Sequence, residues 1–288
     1  VEVISGSLGS GNDIVTVGMQ LAAINGNDGI DSLTMDYSGT LEDGRTATRI
    51  NFNYLQHGGN EIIYMNDGSV VQFDISRFEH FTITGTDGDD IINGFASLSN
   101  SFYGGAGNDT LHGGDGVDIM DGGAGDDTFN YVKFGDTIAG GTGTDTVNFG
   151  LSGETADQVI NLLTGEAAGS IWTGVEVISG SLGSGNDIVT VGTQLATING
   201  NDGIDSITLD YSGALEDGRT ATSINFEYLY HSGNDEKVYL SDGTVAFLDI
   251  YFFEHYTITG TDGDDIINGS TSLSNTFFGG AGNDTLSG

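Results

Sequence analysis

Residues Gly104 to Asn130 read GGAGNDTLH, GGDGVDIMD and GGAGDDTFN, three nine-residue units in unbroken register. Each unit has Gly at its first, second and fourth places, Asp at its sixth and a large apolar residue at its eighth: Leu111, Met120 and Phe129. A chain that repeats at so short a period folds into something that repeats in space, each unit stacking on the next. Glycine turns tightly and reaches φ > 0, so Gly105, Gly107, Gly114, Gly116, Gly123 and Gly125 let carbonyl oxygens converge. Asp109, Asp118 and Asp127 add hard anionic oxygens, which suit Ca²⁺ rather than a soft metal. The last three residues of each unit are extended, with the eighth place pointing inward.

The pattern resembles the RTX nonapeptide, G-G-x-G-x-D-x-U-x, of calcium-binding parallel β-rolls. The resemblance implies an all-β fold: a calcium-loaded parallel β-roll or β-solenoid, with irregular β excursions between the RTX runs. It implies that motif loops on one edge of the roll hold Ca²⁺ between successive coils, through Asp carboxylates and loop carbonyls. Carried over residue by residue, the pattern is complete at Asp109, Asp118 and Asp127. It is good at Asp90, Asp145, Asp265 and Asp284, and weaker at Asp13, Asp31, Asp187 and Asp205. Leu8 stands for the first Gly before Asp13, and Asn27 for the second before Asp31.

A longer repeat encloses the short one. Residues 1–18 return unchanged as 175–192, and GTDGDDIING at 85–94 returns at 260–269. Residues 1–174 form a first long repeat, with motifs at 8–16, 26–34, 85–93, 104–130 and 140–148 and excursions at 35–84 and 149–174. Residues 175–288 form a second, incomplete one, with motifs at 182–190, 200–208, 260–268 and 279–287 and an excursion at 209–259. Val1 and Gly288 both fall inside repeats, which reads as a window on a longer protein. Alternating polar and apolar residues make the excursions β-rich. Asn66-Asp67-Gly68 and Asp242-Gly243 read as hairpin tips, and ADQVINLL (156–163) as a short helix or strand. Few helices are expected anywhere.

Forty-two acids face six bases, a net charge of −36. That balance argues against nucleic acid and anionic membrane as partners, and no segment is apolar for long enough to cross a bilayer. So many carboxylates repel one another in a compact chain, which bound metal would relieve; on the order of ten Ca²⁺ are expected. Cysteine is absent, so there is neither a disulfide nor a zinc–thiolate site. There is no H-E-x-x-H, no G-x-S-x-G and no P-loop, so no enzyme is read here.

Other features keep two readings. A Glu stands eleven residues before a motif Asp four times, as Glu2, Glu79, Glu176 and Glu254; it either completes an edge site or accepts backbone N–H groups. The fifth-place Asn108, Asp126, Asp89 and Asn283 either contribute only a backbone carbonyl or add a side-chain ligand. His57, His80, His112, His231 and His255 read as surface or strand residues. The excursion aromatics Tyr54, Tyr64, Phe73, Phe78, Phe81, Tyr228, Tyr230, Tyr239, Phe247, Tyr251, Phe252 and Phe253 fill a widened core or present a binding face. Trp172 is expected to be buried.

The function expected is structural: a secreted or bacterial cell-surface segment of adhesin, fibre or surface-layer type. It folds on Ca²⁺ outside the cell into a stiff rod that joins copies of itself head to tail. The alternatives are the secretion tail of an enzyme whose catalytic domain lies outside this chain, or a polysaccharide-binding module. Ice binding would want an unbroken Thr or Asn rank, which the excursions are expected to interrupt.

Overall fold

The computed structural model describes residues 4–18, 22–41, 43–53, 55, 61–94, 98–133, 135–151, 153–161, 166–167, 170–192, 195–215, 218–227, 229, 236–269 and 274–288. Glu2, Tyr54, His57, Tyr228, Tyr230, His231 and the end of the 156–163 segment lie outside the described residues. The chain divides into two compact units, Val1–Asp145 and Thr146–Gly288. No helix occurs among the described residues. The architecture is all-β, largely parallel and repetitive.

In the first unit, one parallel ladder runs through Ile14–Val17, Ser32–Asp36, His80–Thr84, Ser99–Ala106, Ile119–Ala124 and Thr137–Thr142. A second runs through Ala47–Phe52, Ile91–Asn93, Thr110–His112 and Thr128–Val132. A short third joins Ile4–Ser7, Ala22–Asn25 and Ile75–Ser76. Within the 104–130 run, successive nonapeptides alternate between the first two ladders. A strand therefore pairs with the one two units away: Leu111 lies beside Phe129, and Phe102 beside Met120. Loops of three to six residues carry the chain from one ladder to the other.

The eighth-place residues build the core, as the period demands. Leu111, Met120 and Phe129 are fully buried and stack in register with Ile92, Phe102 and Ile138. Each such side chain contributes about 1.5–3 kcal/mol by leaving water.

The excursion at 35–84 forms an antiparallel meander of Ala47–Phe52, Glu61–Met65 and Val70–Phe73. Gly68, at φ 81°, closes the Asn66-Asp67-Gly68 turn by donating its N–H to Met65 O at 3.0 Å. Asp67 caps the same turn by accepting the Ser69 N–H. The meander adds strands to the second ladder only. In the first ladder Ser32–Asp36 pairs directly with His80–Thr84, so the excursion does not interrupt it. Extra strands on one side leave volume to fill, and Tyr37, Phe52 and Phe73 fill it with edge-to-face contacts of 5.6 and 5.7 Å.

The second unit repeats this plan. One ladder holds Val159–Asn161, Ile188–Val191, Ser206–Asp210, His255–Thr259 and Ser274–Phe278. The other holds Thr146–Gly150, Val177–Ser181, Leu195–Asn199 and Val245–Tyr251 in parallel. It continues through the antiparallel Glu236–Leu240 and Ala221–Phe226 to Ile266–Asn268 and Thr285–Ser287. The 156–163 segment supplies the strand Val159–Asn161, antiparallel to Glu166–Ala167, which in turn pairs with Ser170–Thr173. Trp172 is buried against Phe149.

The expected interruption of a threonine rank is corrected here. Because the excursion strands join the other ladder, Thr190, Thr208, Thr257 and Thr276 stand in consecutive register, and so do Thr16, Thr34, Thr82 and Ser101. The excursion aromatics divide: Phe73, Phe78, Phe81 and Phe253 are buried, whereas Phe247 and Phe252 are about half exposed.

Candidate metal-binding loops

In the consensus units the second and fourth places are left-handed: φ is 115° and 106° at Gly105 and Gly107, and 102° and 128° at Gly123 and Gly125. Gly114 and Gly116 match them at 96° and 104°. Conformation alone does not explain glycine here. A Cβ on Gly123 would lie 2.1 Å from Gly105 O, so the loops of successive coils touch backbone to backbone. Asn27 and Asn201, which replace the second glycine, adopt the same left-handed form at φ 71° and 65°. Asn tolerates that region by local hydrogen bonding; each donates its backbone N–H to the Oδ1 of an Asn two residues earlier. The imperfect frames before Asp31 and Asp205 therefore keep the loop shape.

Each sixth-place Asp spends one oxygen on the neighbouring coil. Asp109 Oδ1 accepts the Asp90 N–H, Asp127 Oδ1 accepts the Asp109 N–H and Asp145 Oδ1 accepts the Asp127 N–H, all at 2.8 Å. A separate row runs from Asn100 through Asp118 to Asp136 at 2.7 and 2.9 Å, and Asp13 donates its N–H to Asp31 Oδ1 at 2.8 Å. In the second unit the rows are Gln158–Asp187–Asp205 and Ile224–Asp265–Asp284. In the first unit Asp90, Asp109 and Asp127 precede strands of one ladder, whereas Asp13, Asp31, Asp118 and Asp136 precede strands of the other. The loops thus form two rows in each unit rather than lining one edge, because successive nonapeptides alternate between the two ladders.

The second oxygen is the unusual one. Oδ2 of Asp13, Asp31, Asp109, Asp118, Asp127, Asp187 and Asp205 is buried with no hydrogen-bond partner. All these side chains except that of Asp13 are at most 1% exposed. Asp284 is half-buried. Burial holds the Asp109 carboxyl up at about 8, aided by the nearby Asp90 and Asp127 charges. Burial likewise raises Asp118 and Asp205 to about 7 and Asp127 to about 6. A bare carboxylate there is strongly disfavoured, and a cation is what relieves it.

The surroundings fit a hard cation. A Cβ on Gly104 would sit 2.1 Å from Asp109 Oδ2 and 2.6 Å from Gly122 O, so a carboxylate and a carbonyl of the next coil converge beside the first glycine. Gly26 and Gly200 likewise face a carboxylate and a carbonyl, Asp31 Oδ2 with Arg77 O and Asp205 Oδ2 with Phe252 O, at 2.0–2.8 Å. Oxygen donors without nitrogen or sulfur suit Ca²⁺. Among the described residues no three His, Asp or Glu side chains cluster in metal-ligating fashion. That agrees with a donor set in which each loop offers one carboxylate and the backbone supplies the rest.

Several side chains settle their double readings. Glu79 and Glu254 accept the N–H groups of Asp31 and Asp205 at 2.8 Å, standing where a sixth-place Asp stands elsewhere. The fifth-place side chains form an outer ladder of opposite sense: Asp89 Oδ1 accepts the Asn108 N–H, Asn108 Oδ1 the Asp126 N–H, and Asp126 Oδ1 the Thr144 N–H. They face solvent and serve the backbone. Asp136 is a buried row member that motif matching misses, since YVKFGD lacks the glycine pair. Its signal was the ninefold spacing of Asp109, Asp118, Asp127, Asp136 and Asp145. His80 meets Ser99 O at 3.0 Å, and the His112 ring lies 5.5 Å from that of Tyr131, tilted by 52°.

A family model described as the RTX calcium-binding nonapeptide repeat matches the chain in four copies, at residues 82–97, 96–129, 134–151 and 270–288. These repeats are structural calcium-binding elements, not catalytic ones. The loops ending at Asp13, Asp31, Asp187, Asp205 and Asp265 lie outside the matched residues. No curated protein matches the chain.

Proposed function

We propose, from the premise that the chain belongs to the RTX calcium-binding nonapeptide repeat family, that it is a structural segment of a secreted or bacterial cell-surface protein. Adhesins, fibres and surface layers are the setting that long tandem repeats of this kind suit, since they supply length rather than a unique pocket. The observation that carries the reading is the repeated, buried Asp Oδ2 without a hydrogen-bond donor.

Asp109, Asp118 and Asp127, with Asp31, Asp145, Asp205 and Asp284, would hold calcium together with loop carbonyls; Asp13 and Asp187 carry the same free oxygen in loops of different shape. Bound calcium supplies positive charge that neutralises these carboxylates. The chain's own residues do the rest. The glycines bring carbonyls within reach, Oδ1 ties each loop to the next coil, and the eighth-place residues close a two-sheet roll. Metal-binding free energy is then folding free energy. Extracellular calcium modules bind in the range of about 10⁻⁴–10⁻³ M, so the chain stays open in a calcium-poor cytosol and stiffens outside. Copies join head to tail through their parallel ladders.

Small-angle X-ray scattering tests this reading. An expanded chain in chelator and a compact rod in millimolar calcium are expected; one profile under both conditions contradicts it. By electron microscopy, calcium-loaded material gives long filaments, and uniformly short particles at high concentration contradict head-to-tail assembly.

A further inference from the structure

The motif aspartates do not all leave an oxygen free. In the loop 85–90 the second place is Thr86, and its N–H donates to Asp90 Oδ2 at 2.6 Å. The Thr86 hydroxyl also reaches Asp90 Oδ2 at 3.1 Å, and it accepts the Gly88 N–H at 3.1 Å. Asp90 Oδ1 is taken by the Ile50 N–H of the excursion strand, at 2.6 Å. The second unit repeats the network. Thr261 N–H donates to Asp265 Oδ2 at 2.7 Å, its hydroxyl accepts the Gly263 N–H at 3.0 Å, and Ile224 N–H donates to Asp265 Oδ1 at 2.7 Å.

The backbone differs too. Neither Thr86 nor Gly88 has a positive φ, nor do Thr261 and Gly263, whereas both equivalent positions are left-handed in the loops ending at Asp31, Asp109, Asp118, Asp127, Asp145, Asp205 and Asp284. In the left-handed loops no donor reaches Oδ2 of Asp31, Asp109, Asp118, Asp127 or Asp205. Threonine, β-branched and strained at positive φ, keeps the other form and points its N–H in. Two donors then occupy the side of Asp90 that the consensus loops leave open. Asp136 is occupied similarly, with Lys133 N–H on Asp136 Oδ2 at 2.7 Å and Lys133 Nζ paired with Asp115.

We propose that Thr86 and Thr261 close their loops to calcium. Asp90 and Asp265 are then metal-free joints that tie each excursion to the adjoining repeat run, although the family match includes residues 85–90. An N–H and a hydroxyl do at these two loops what a cation does at the others. Both joints sit where an antiparallel meander meets a parallel run, through Ile50 and Ile224. The excursions are thereby anchored without metal, and calcium loading is confined to the glycine-paired loops. This inference rests on the calcium reading above.

The test is a gain of function on the full chain. Thr86→Gly with Thr261→Gly restores the Gly-Gly pair at both loops. Native mass spectrometry at saturating calcium should count about two more ions than in the parent. Asp90→Asn, which keeps the shape and an acceptor, should leave the parent count unchanged, whereas Asp109→Asn should lower it. A parent that binds calcium, with no gain in the threonine variant or with an ion lost in Asp90→Asn, overturns this inference alone. A parent that binds no calcium overturns the calcium reading and this inference together.

Discussion

Asp127 accepts the backbone N–H of Asp109, 18 residues earlier, at 2.8 Å with Oδ1, while its Oδ2 lies buried beside Gly122 without a donor. One carboxylate thus has two unlike oxygens. The first is a structural acceptor that sets the register of neighbouring coils. The second is committed to nothing within the chain. That division of labour predicts how substitutions separate folding from metal binding.

Asp127→Asn keeps an acceptor for the Asp109 N–H but removes the charge. The apparent calcium midpoint should weaken by about tenfold, or ~1.4 kcal/mol, with at least one ion lost. Isothermal titration calorimetry checks this; an unchanged midpoint and count would remove Asp127 from the site.

Gly122→Ala places a Cβ 2.1 Å from Asp127 Oδ2. The carboxylate has to move, at a cost of about 1–3 kcal/mol in the calcium-loaded form. Gly150→Ala is the control, since nothing lies within 4 Å of its Cβ position. Urea unfolding in calcium should separate the two, and equal midpoints would contradict the crowding.

In chelator, acid should favour the fold. Burial raises Asp109 to about 8, and Asp118 and Asp205 to about 7, from an ordinary 3.8. A raised folded-state pKa means that the folded chain holds its protons more tightly than the unfolded chain does. That stability is fully present below the ordinary value and is lost as pH rises through about 7–8. Metal-free material should therefore gain β signal on going from about pH 8 to about pH 5, by circular dichroism. In calcium the trend reverses, because protons compete for the same oxygens. Loss of structure on acidification in chelator would contradict the assignment.

Much of this was legible because a nine-residue period constrains places. Leu111, Met120 and Phe129 had to point inward, and Gly105 and Gly107 had to turn. Asn27 was harder to read: a broken consensus hid a residue that reaches the same left-handed conformation. The alternation of ladders was not legible, because nothing in GGAGNDTLH says whether its strand pairs with the next unit or the one after. Asp136 was missed because the motif was sought through its glycines rather than its spacing. Glu79 and Glu254 kept two readings until the Asp31 and Asp205 N–H groups were seen to face them. The closure of the Asp90 loop turns on one backbone N–H, that of Thr86, and the nonapeptide consensus does not say which way its second residue points that group.

The central claim is that the buried Asp oxygens are completed by calcium and that the fold depends on it. A calcium titration of this chain near neutral pH, followed by far-ultraviolet circular dichroism with native mass spectrometry for the ion count, tests it most directly. The account predicts a disordered chain in chelator that converts to β structure with on the order of ten ions bound. A chain already folded in chelator, or one that neither changes nor takes up ions when calcium is added, would contradict it.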